Sequence, residues 1–140
     1  MTLEKSDILI VDDSKEVIAS IKRELKNEPL NVSETNSGEE ALRMVAQQPF
    51  KVIITDVKMS KMDGFELLEK IHELNPDTSR IILSGHSDVG LILKLANKKG
   101  IDRYLTKPWD AQDLILAINN SIEIHDLRKA KRERADKDKS

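Results

Sequence analysis

Ile8-Leu9-Ile10-Val11-Asp12-Asp13-Ser14 is the stretch on which the fold turns. Four aliphatic residues in a row, with no polar alternation, read as a short strand buried on both faces, and the run is too short for a helix. Two acids follow without a spacer. The same shape returns at Val52-Ile53-Ile54-Thr55, followed by Asp56, and at Ile81-Ile82-Leu83, followed by Ser84. Three fully apolar runs, each ending in a polar group, predict three central strands whose carboxyl ends carry the chemistry.

Outward from these, two weaker runs are expected at the sheet edges. Val32-Ser33-Glu34-Thr35 alternates, and Asp102-Arg103-Tyr104-Leu105 is half polar, so the strands Val32 to Thr35 and Arg103 to Thr106 face solvent on one side. Between the strands lie stripes at helical spacing: Val17, Ile18, Ile21 and Leu25; Ala41, Leu42, Val45 and Ala46; Phe65, Leu67, Leu68, Ile71 and Leu74; Val89, Ile92, Leu95 and Ala96; and Leu114, Ile115, Ile118 and Ile122. Five alternations of strand and helix predict an α/β fold, a five-stranded parallel sheet with helices on both faces. Few strand orders fit these constraints, and 2-1-3-4-5 is among them.

The punctuation agrees with this. Ser37 with Glu40 forms a capping box, while Asp63, Ser87 and Asp110 stand where the next three helices start. Pro29, Pro49 and Pro76 follow the first three helices as stops. The expected domain is residues 1–123. From Glu123 onward the chain carries seven Lys or Arg against five Asp or Glu. Residues 124–140 are therefore expected to be a solvated helical extension or linker that frays, or the start of a signalling helix.

Composition removes several function classes. The 140 residues carry 23 basic and 25 acidic side chains for a net charge of −2, which is no basis for coating a nucleic acid. There is no cysteine, so disulfides, thiolate metal sites and cysteine nucleophiles drop out together. No apolar run approaches the roughly 18 residues of a membrane span, and the expectation is a cytoplasmic protein. His72, His86 and His125 have no metal-ligand spacing and are expected at the surface.

In an open parallel sheet the strand ends gather at one edge, with a crevice where the chain order reverses. Asp12, Asp13 and Asp56 fall there, together with Ser84 and the Thr106-Lys107-Pro108 run. Carboxylates brought together repel one another unless a cation intervenes, and two acids after four buried aliphatics are costly without one. A hard divalent ion with oxygen ligands resolves the conflict, and Mg2+ is the expected choice, with Mn2+ as its substitute.

These residues resemble the receiver domains of two-component response regulators over about residues 6–123. Ile8 to Ser14 is similar to the family's acidic first-strand motif. Asp56-Val57-Lys58-Met59-Ser60-Lys61-Met62-Asp63-Gly64 resembles its phosphoacceptor loop. Ser84, Tyr104 and Lys107-Pro108 match its hydroxyl, aromatic switch and Lys-Pro positions. The resemblance implies the flavodoxin-like order 2-1-3-4-5 and a Mg2+ held by Asp12, Asp13, Asp56 and the Lys58 backbone carbonyl. It implies phosphorylation of Asp56, with Lys107 and Ser84 stabilising the phosphoryl group and Tyr104 turning inward. It also implies a cis Lys107-Pro108 bond and output through the surface of the fourth helix, fifth strand and fifth helix.

The implied partners are a sensor histidine kinase or phosphotransfer protein and a downstream output domain or target, with a homodimer on phosphorylation left open. No nucleic acid or membrane contact is implied. The protein would be a regulatory phosphoacceptor that assists its own phosphorylation and dephosphorylation, not an enzyme acting on a separate substrate.

Two positions depart from the family pattern. Ser60 stands where proline is usual, and Trp109 where phenylalanine is commoner, as in receivers joined to cyclic-di-nucleotide phosphodiesterase outputs. Lys58 and Gly85 occupy the positions that tune phosphoryl lifetime, and they leave the rate open.

Readings from other classes fit less well. A haloacid-dehalogenase phosphatase needs a second acid two residues after the nucleophile, but Asp13 is followed by Ser14 and Lys15. A flavodoxin-like cofactor carrier needs donors, not acids, after the first strand. A pseudo-receiver that only binds proteins keeps the fold and differs in whether Asp56 can be phosphorylated.

Overall fold

The computed structural model describes residues 4–85, 90 and 101–138. Strands β1 (Ser6–Val11), β2 (Leu30–Thr35), β3 (Val52–Asp56), β4 (Ser79–Ser84) and β5 (Arg103–Thr106) alternate with helices α1 (Lys15–Glu24), α2 (Gly38–Gln47) and α3 (Gly64–Leu74), and α4 (Ala111–Asp138) ends the chain. The fourth helical stretch of the sequence reading lies outside the described residues, with its Ser87 cap and His86. Helix α4 is thus the fifth helical stretch of that reading.

All pairings are parallel and the order is β2-β1-β3-β4-β5. The period-2 geometry of a strand explains why three runs are apolar throughout. Leu9, Val11, Ile53 and Ile82 point to one face and meet Ala41, Val45, Leu67, Leu68 and Ile71 of α2 and α3. Ile8, Ile10, Val52, Ile54, Ile81 and Leu83 point to the other and meet Ile18 and Ile21 of α1 with Leu114, Ala117 and Ile118 of α4. Every one of these strand side chains is fully buried. Each contributes about 1.5–3 kcal/mol relative to exposure, so the two cores fix the sheet's position and register.

The helix starts are built as the sequence pattern indicates, with one addition. Ser37 Oγ accepts from Glu40 N at 3.2 Å and Asp63 Oδ1 from Glu66 N at 2.8 Å. Ser14 Oγ accepts from Val17 N at 3.2 Å, so the residue following the two acids caps α1.

Two expectations need correction. Strand β4 begins at Ser79, two residues before the apolar run, because the buried Ser79 and Arg80 find a polar partner in Asp102. His125 is buried, not superficial, and its Nδ1 lies 2.9 Å from Asp126 Oδ1. The helical extension expected beyond residue 123 is present: α4 runs unbroken to Asp138, with residues 129–137 exposed. Asp126 pairs with Lys51 at 3.0 Å, Arg128 with Asp102, and Arg132 with Asp77 at 2.6 Å.

Candidate phosphoacceptor site

The apolar strands deliver their terminal polar groups to one edge. Asp12 follows β1 and is fully buried; its backbone N–H continues the sheet by donating to Thr35 O at 3.2 Å. One carboxylate oxygen, Oδ1, accepts from Ser14 N at 2.9 Å. The other, Oδ2, is buried without a hydrogen-bond partner among the described residues. Asp13 is exposed beside it, and Asp56 ends β3 with 15% of its side chain exposed. Ligand oxygens from Asp12, Asp13 and Asp56 all lie within 4.8 Å of one another.

Lys107 completes the cluster from the other side of the sheet. Its Nζ lies 3.4 Å from Asp56 Oδ1 and 3.8 Å from Asp12 Oδ2. Its backbone N–H donates to Ser84 O at 2.6 Å, and the Lys107-Pro108 peptide is cis. Burial, more than any other influence, raises the Asp12 carboxyl above its ordinary range. The Asp56 and Asp13 charges push the same way, while the Ser14 N–H and Lys107 oppose them. One ammonium against three carboxylates leaves negative charge uncompensated in a place that resists it.

The floor of the site is tightly built. Thr55 Oγ1 donates to Asp56 O at 3.1 Å, Val57 N to Leu83 O at 3.1 Å, and Gly64 N to Val57 O at 2.9 Å. A Cβ on Gly64 would sit 2.2 Å from Asp56 O. Only a glycine lets α3 begin so close beneath the Asp56 peptide.

The remaining predicted residues take distinct positions. Ser84 is fully buried at the end of β4, and its Oγ has no hydrogen-bond partner among the described residues. Tyr104 on β5 is 47% exposed, on the outside of the sheet edge. Lys58 is an exposed residue of the loop after Asp56. Trp109 follows the Lys107-Pro108 pair. It lines a groove with Ser14, Lys107 and Pro108, and its Nε1 donates to Glu24 Oε2 at 2.7 Å, a contact no sequence pattern announces.

Over residues 8–119 the sequence matches the model of the response regulator receiver domain. The chain belongs to that family. Among curated relatives, the receiver is 34% identical over 122 residues to the transcriptional regulatory protein ZraR of Escherichia coli, a match covering 87% of this chain and 27% of that protein. It is 31% identical over 128 residues to the hydrogenase transcriptional regulatory protein HoxA of Cupriavidus necator, covering 91% of this chain and 26% of the relative. The chain thus spans about a quarter of the length of these relatives. A response regulator receiver domain protein from Clostridium thermocellum superposes with a TM-score of 0.80 at 38% identity, covering 87% of this chain and 98% of that one. The chain is accordingly a receiver domain of the two-component response-regulator type, with the acidic cluster of Asp12, Asp13 and Asp56 at the carboxyl edge of its sheet.

The donor set suits a hard divalent cation. All three candidate side chains offer carboxylate oxygen, and among the described residues the buried Asp12 Oδ2 has no hydrogen-bond donor. Magnesium favours oxygen ligands and retains several waters, which an open rim with an exposed Asp13 allows.

Proposed function

We propose that Asp56 accepts a phosphoryl group from the phosphohistidine of a sensor kinase or phosphotransfer protein and that the receiver relays this state to an output partner. The observation that carries the reading is the placement of Lys107 Nζ 3.4 Å from Asp56 Oδ1. That geometry sets a fixed cation beside the one strand-end carboxylate that is neither fully buried nor fully exposed.

In the transfer, a carboxylate oxygen of Asp56 forms a bond to phosphorus while the bond from phosphorus to the donor's imidazole nitrogen breaks. The imidazole keeps that electron pair and becomes neutral by proton exchange with solvent. Lys107 stabilises the equatorial oxygens. The Ser84 hydroxyl, buried and without a partner among the described residues, donates to another of them once it turns toward Asp56. Gly64 and Thr55 hold the Asp56 peptide so that its side chain reaches the crevice.

Mg2+, or Mn2+ in its place, would be held by Asp13 and Asp56, by Asp12 through water, and by the Lys58 carbonyl. It would supply charge neutralisation for the incoming phosphoryl oxygens. The phosphorylated side chain carries about −2 charge and three acceptor oxygens, enough to draw Lys107 and Ser84 inward and to bring Tyr104 in from its exposed position. The output face then includes β5 and the start of α4. Its third element, the fourth helical stretch of the sequence, lies outside the described residues.

On this reading the protein is a regulatory phosphoacceptor of the cytoplasm. Among the described residues no helix is long and apolar enough to cross a membrane. The names of ZraR and HoxA suggest transcriptional control as the output of the longer protein. The exposed Tyr104 face is the surface where phosphorylation-dependent dimerisation would occur.

The test uses Trp109, the only tryptophan. Its fluorescence is followed as Mg2+ and then beryllofluoride are added, with Asp56→Asn as control. A Mg2+-dependent change lost in the variant is expected. No response to either addition would leave the protein-binding pseudo-receiver as the better reading.

A further inference from the structure

The amino edge of the sheet, opposite the acidic cluster, carries a second polar construction. Asp102 lies one residue before β5. Its backbone N–H donates to Arg80 O at 2.8 Å, while its carboxylate accepts from Arg80 N at 2.8 Å and from Ser79 Oγ at 3.4 Å. Both Nη atoms of Arg128 in α4 bind the same carboxylate, Nη1 at 3.1 Å to Oδ2 and Nη2 at closer range to Oδ1. One turn further along the same helix face, Arg132 grips Asp77 Oδ2 with Nε at 2.9 Å and Nη2 at 2.6 Å. Asp102, with 12% of its side chain exposed, is thus shared by β4, β5 and the end of α4: Arg128 binds it, and the buried Arg80 Nε lies 3.7 Å from its Oδ2.

Strand β5 is what connects this edge to the other. It has four residues, with Asp102 directly before it and Lys107 directly after it. At about 3.3 Å per residue the two ends are some 16 Å apart along a nearly extended chain, which cannot lengthen to absorb a pull. Among the described residues it is an edge strand, paired only to β4. Helix α4 meets β5 at both ends, first through the Lys107 to Asp110 loop and again through Arg128.

The far part of α4 is held weakly enough to respond. Residues 129–137 are exposed, and Leu127 is 66% exposed, so among the described residues the helix after His125 is held by its ion pairs, not by an apolar anchor. Segments with few buried apolar contacts open at a small fraction of the global unfolding free energy. A paired guanidinium and carboxylate is directional, so a small displacement of Asp102 weakens it more than it would a nondirectional contact.

We propose that the Asp102–Arg128 pair is a relay: occupancy of the Asp56 site, drawn through Lys107 and β5, changes how firmly residues 126–138 are held. Signal then leaves by the amino edge of the sheet as well as by the Tyr104 face. The relay rests on the phosphoacceptor reading of Asp56, and its test separates the two.

Backbone hydrogen exchange of residues 126–138 is measured on the full 140-residue chain, with and without Mg2+ and beryllofluoride. Trp109 fluorescence in the same samples reports site occupancy. The expected result is a several-fold change in exchange of the extension in the wild type, and none in Arg128→Gln, whose Trp109 response is retained. Arg128 is partly exposed on a helix, so this variant leaves both cores intact. Asp102→Asn, which keeps the shape but loses the charge, should behave in the same way. A Trp109 response with unchanged exchange in the wild type would overturn the relay and leave the site reading standing. An exchange change that persists in Arg128→Gln would overturn the role of this pair. Silence of both readouts would remove the site reading and the relay together.

Discussion

Adding one methyl group at Gly64 and one at Gly90 should have opposite consequences, and the difference can be worked from geometry. A Cβ on Gly64 would stand 2.2 Å from Asp56 O, 3.1 Å from Asp56 C and 3.2 Å from Val57 Cα. Ordinary carbon contacts begin near ~3.5 Å, so the Asp56 peptide or the first turn of α3 must move by about 1 Å. Both are backbone, and both are held: Gly64 N by Val57 O, and Val57 N by Leu83 O. Overpacking of this kind costs about 1–3 kcal/mol, which at this chain length lowers Tm by roughly 4–12 °C. The displaced Asp56 should also lose the alignment on which phosphoryl transfer depends, slowing phosphorylation by a small-molecule donor about tenfold or more.

Among the described residues, nothing lies within 4 Å of the same hypothetical atom on Gly90. Gly90→Ala should therefore be neutral or stabilise by about 0.4–1 kcal/mol through the unfolded chain. Thermal unfolding and a phosphorylation time course on the two variants check both halves. If Gly64→Ala matched wild type in Tm and in rate, the close approach of α3 beneath Asp56 would be wrong, and the site geometry with it.

Other consequences can be read from the charges. Asp12→Asn should raise the Tm of the metal-free protein at neutral pH, because it removes a buried, crowded negative charge, while it reduces the Tm increase that Mg2+ brings; thermal scans with and without Mg2+ decide this. Lys107→Ala should tighten Mg2+ binding by about 2–10-fold, since a positive charge 3.4 Å from Asp56 competes with the ion; a fluorescence titration measures it, and weaker binding would contradict it. Asp102 bears on acid stability. Burial alone would raise its carboxyl, but hydrogen bonds from Arg128 and the Arg80 N–H, with the charges of Arg80 and Arg128, outweigh burial and hold it below its ordinary range. A depressed folded value means stability that is present above the unfolded pKa of about 3.9 and lost as pH falls through the folded value. The acid limb of a pH–stability curve should be shallower in Asp102→Asn, which also loses about 1–3 kcal/mol at neutral pH from weakened charged hydrogen bonds.

What the sequence discloses of this molecule follows the kind of interaction involved. The central strands are legible because burial on both faces of a sheet leaves an uninterrupted aliphatic run, as in Ile8 to Val11. The edge strands are legible because one wet face leaves polar residues in the pattern. The carboxyl-edge cluster is legible because each member follows such a run directly, and topology alone then brings Asp12, Asp13, Asp56 and Lys107 together.

The amino edge is different. Arg128 and Asp102 are 26 residues apart, Arg132 and Asp77 are 55 apart, and Glu24 and Trp109 are 85 apart. A single ion pair or hydrogen bond at such separation has no period and no composition signal. That is why residues 124–138 read from the sequence as a charged helical extension, with nothing to show that Asp126, Arg128 and Arg132 pair with Lys51, Asp102 and Asp77. His125 hides for the same reason, since one buried side chain in a charged segment does not make a stripe. Gly64 is visible as a helix-start residue, yet its closeness to the Asp56 carbonyl appears only in three dimensions.

The central claim is that Asp56 is a phosphoacceptor assisted by a divalent cation. Intact-protein mass and peptide mapping, after incubation with Mg2+ and a small-molecule phosphodonor, test it most directly. One added phosphoryl group located on Asp56, absent in Asp56→Asn and absent when the cation is chelated, is the predicted result. An unmodified wild-type chain, or an equal gain in the Asp56→Asn variant, would contradict it.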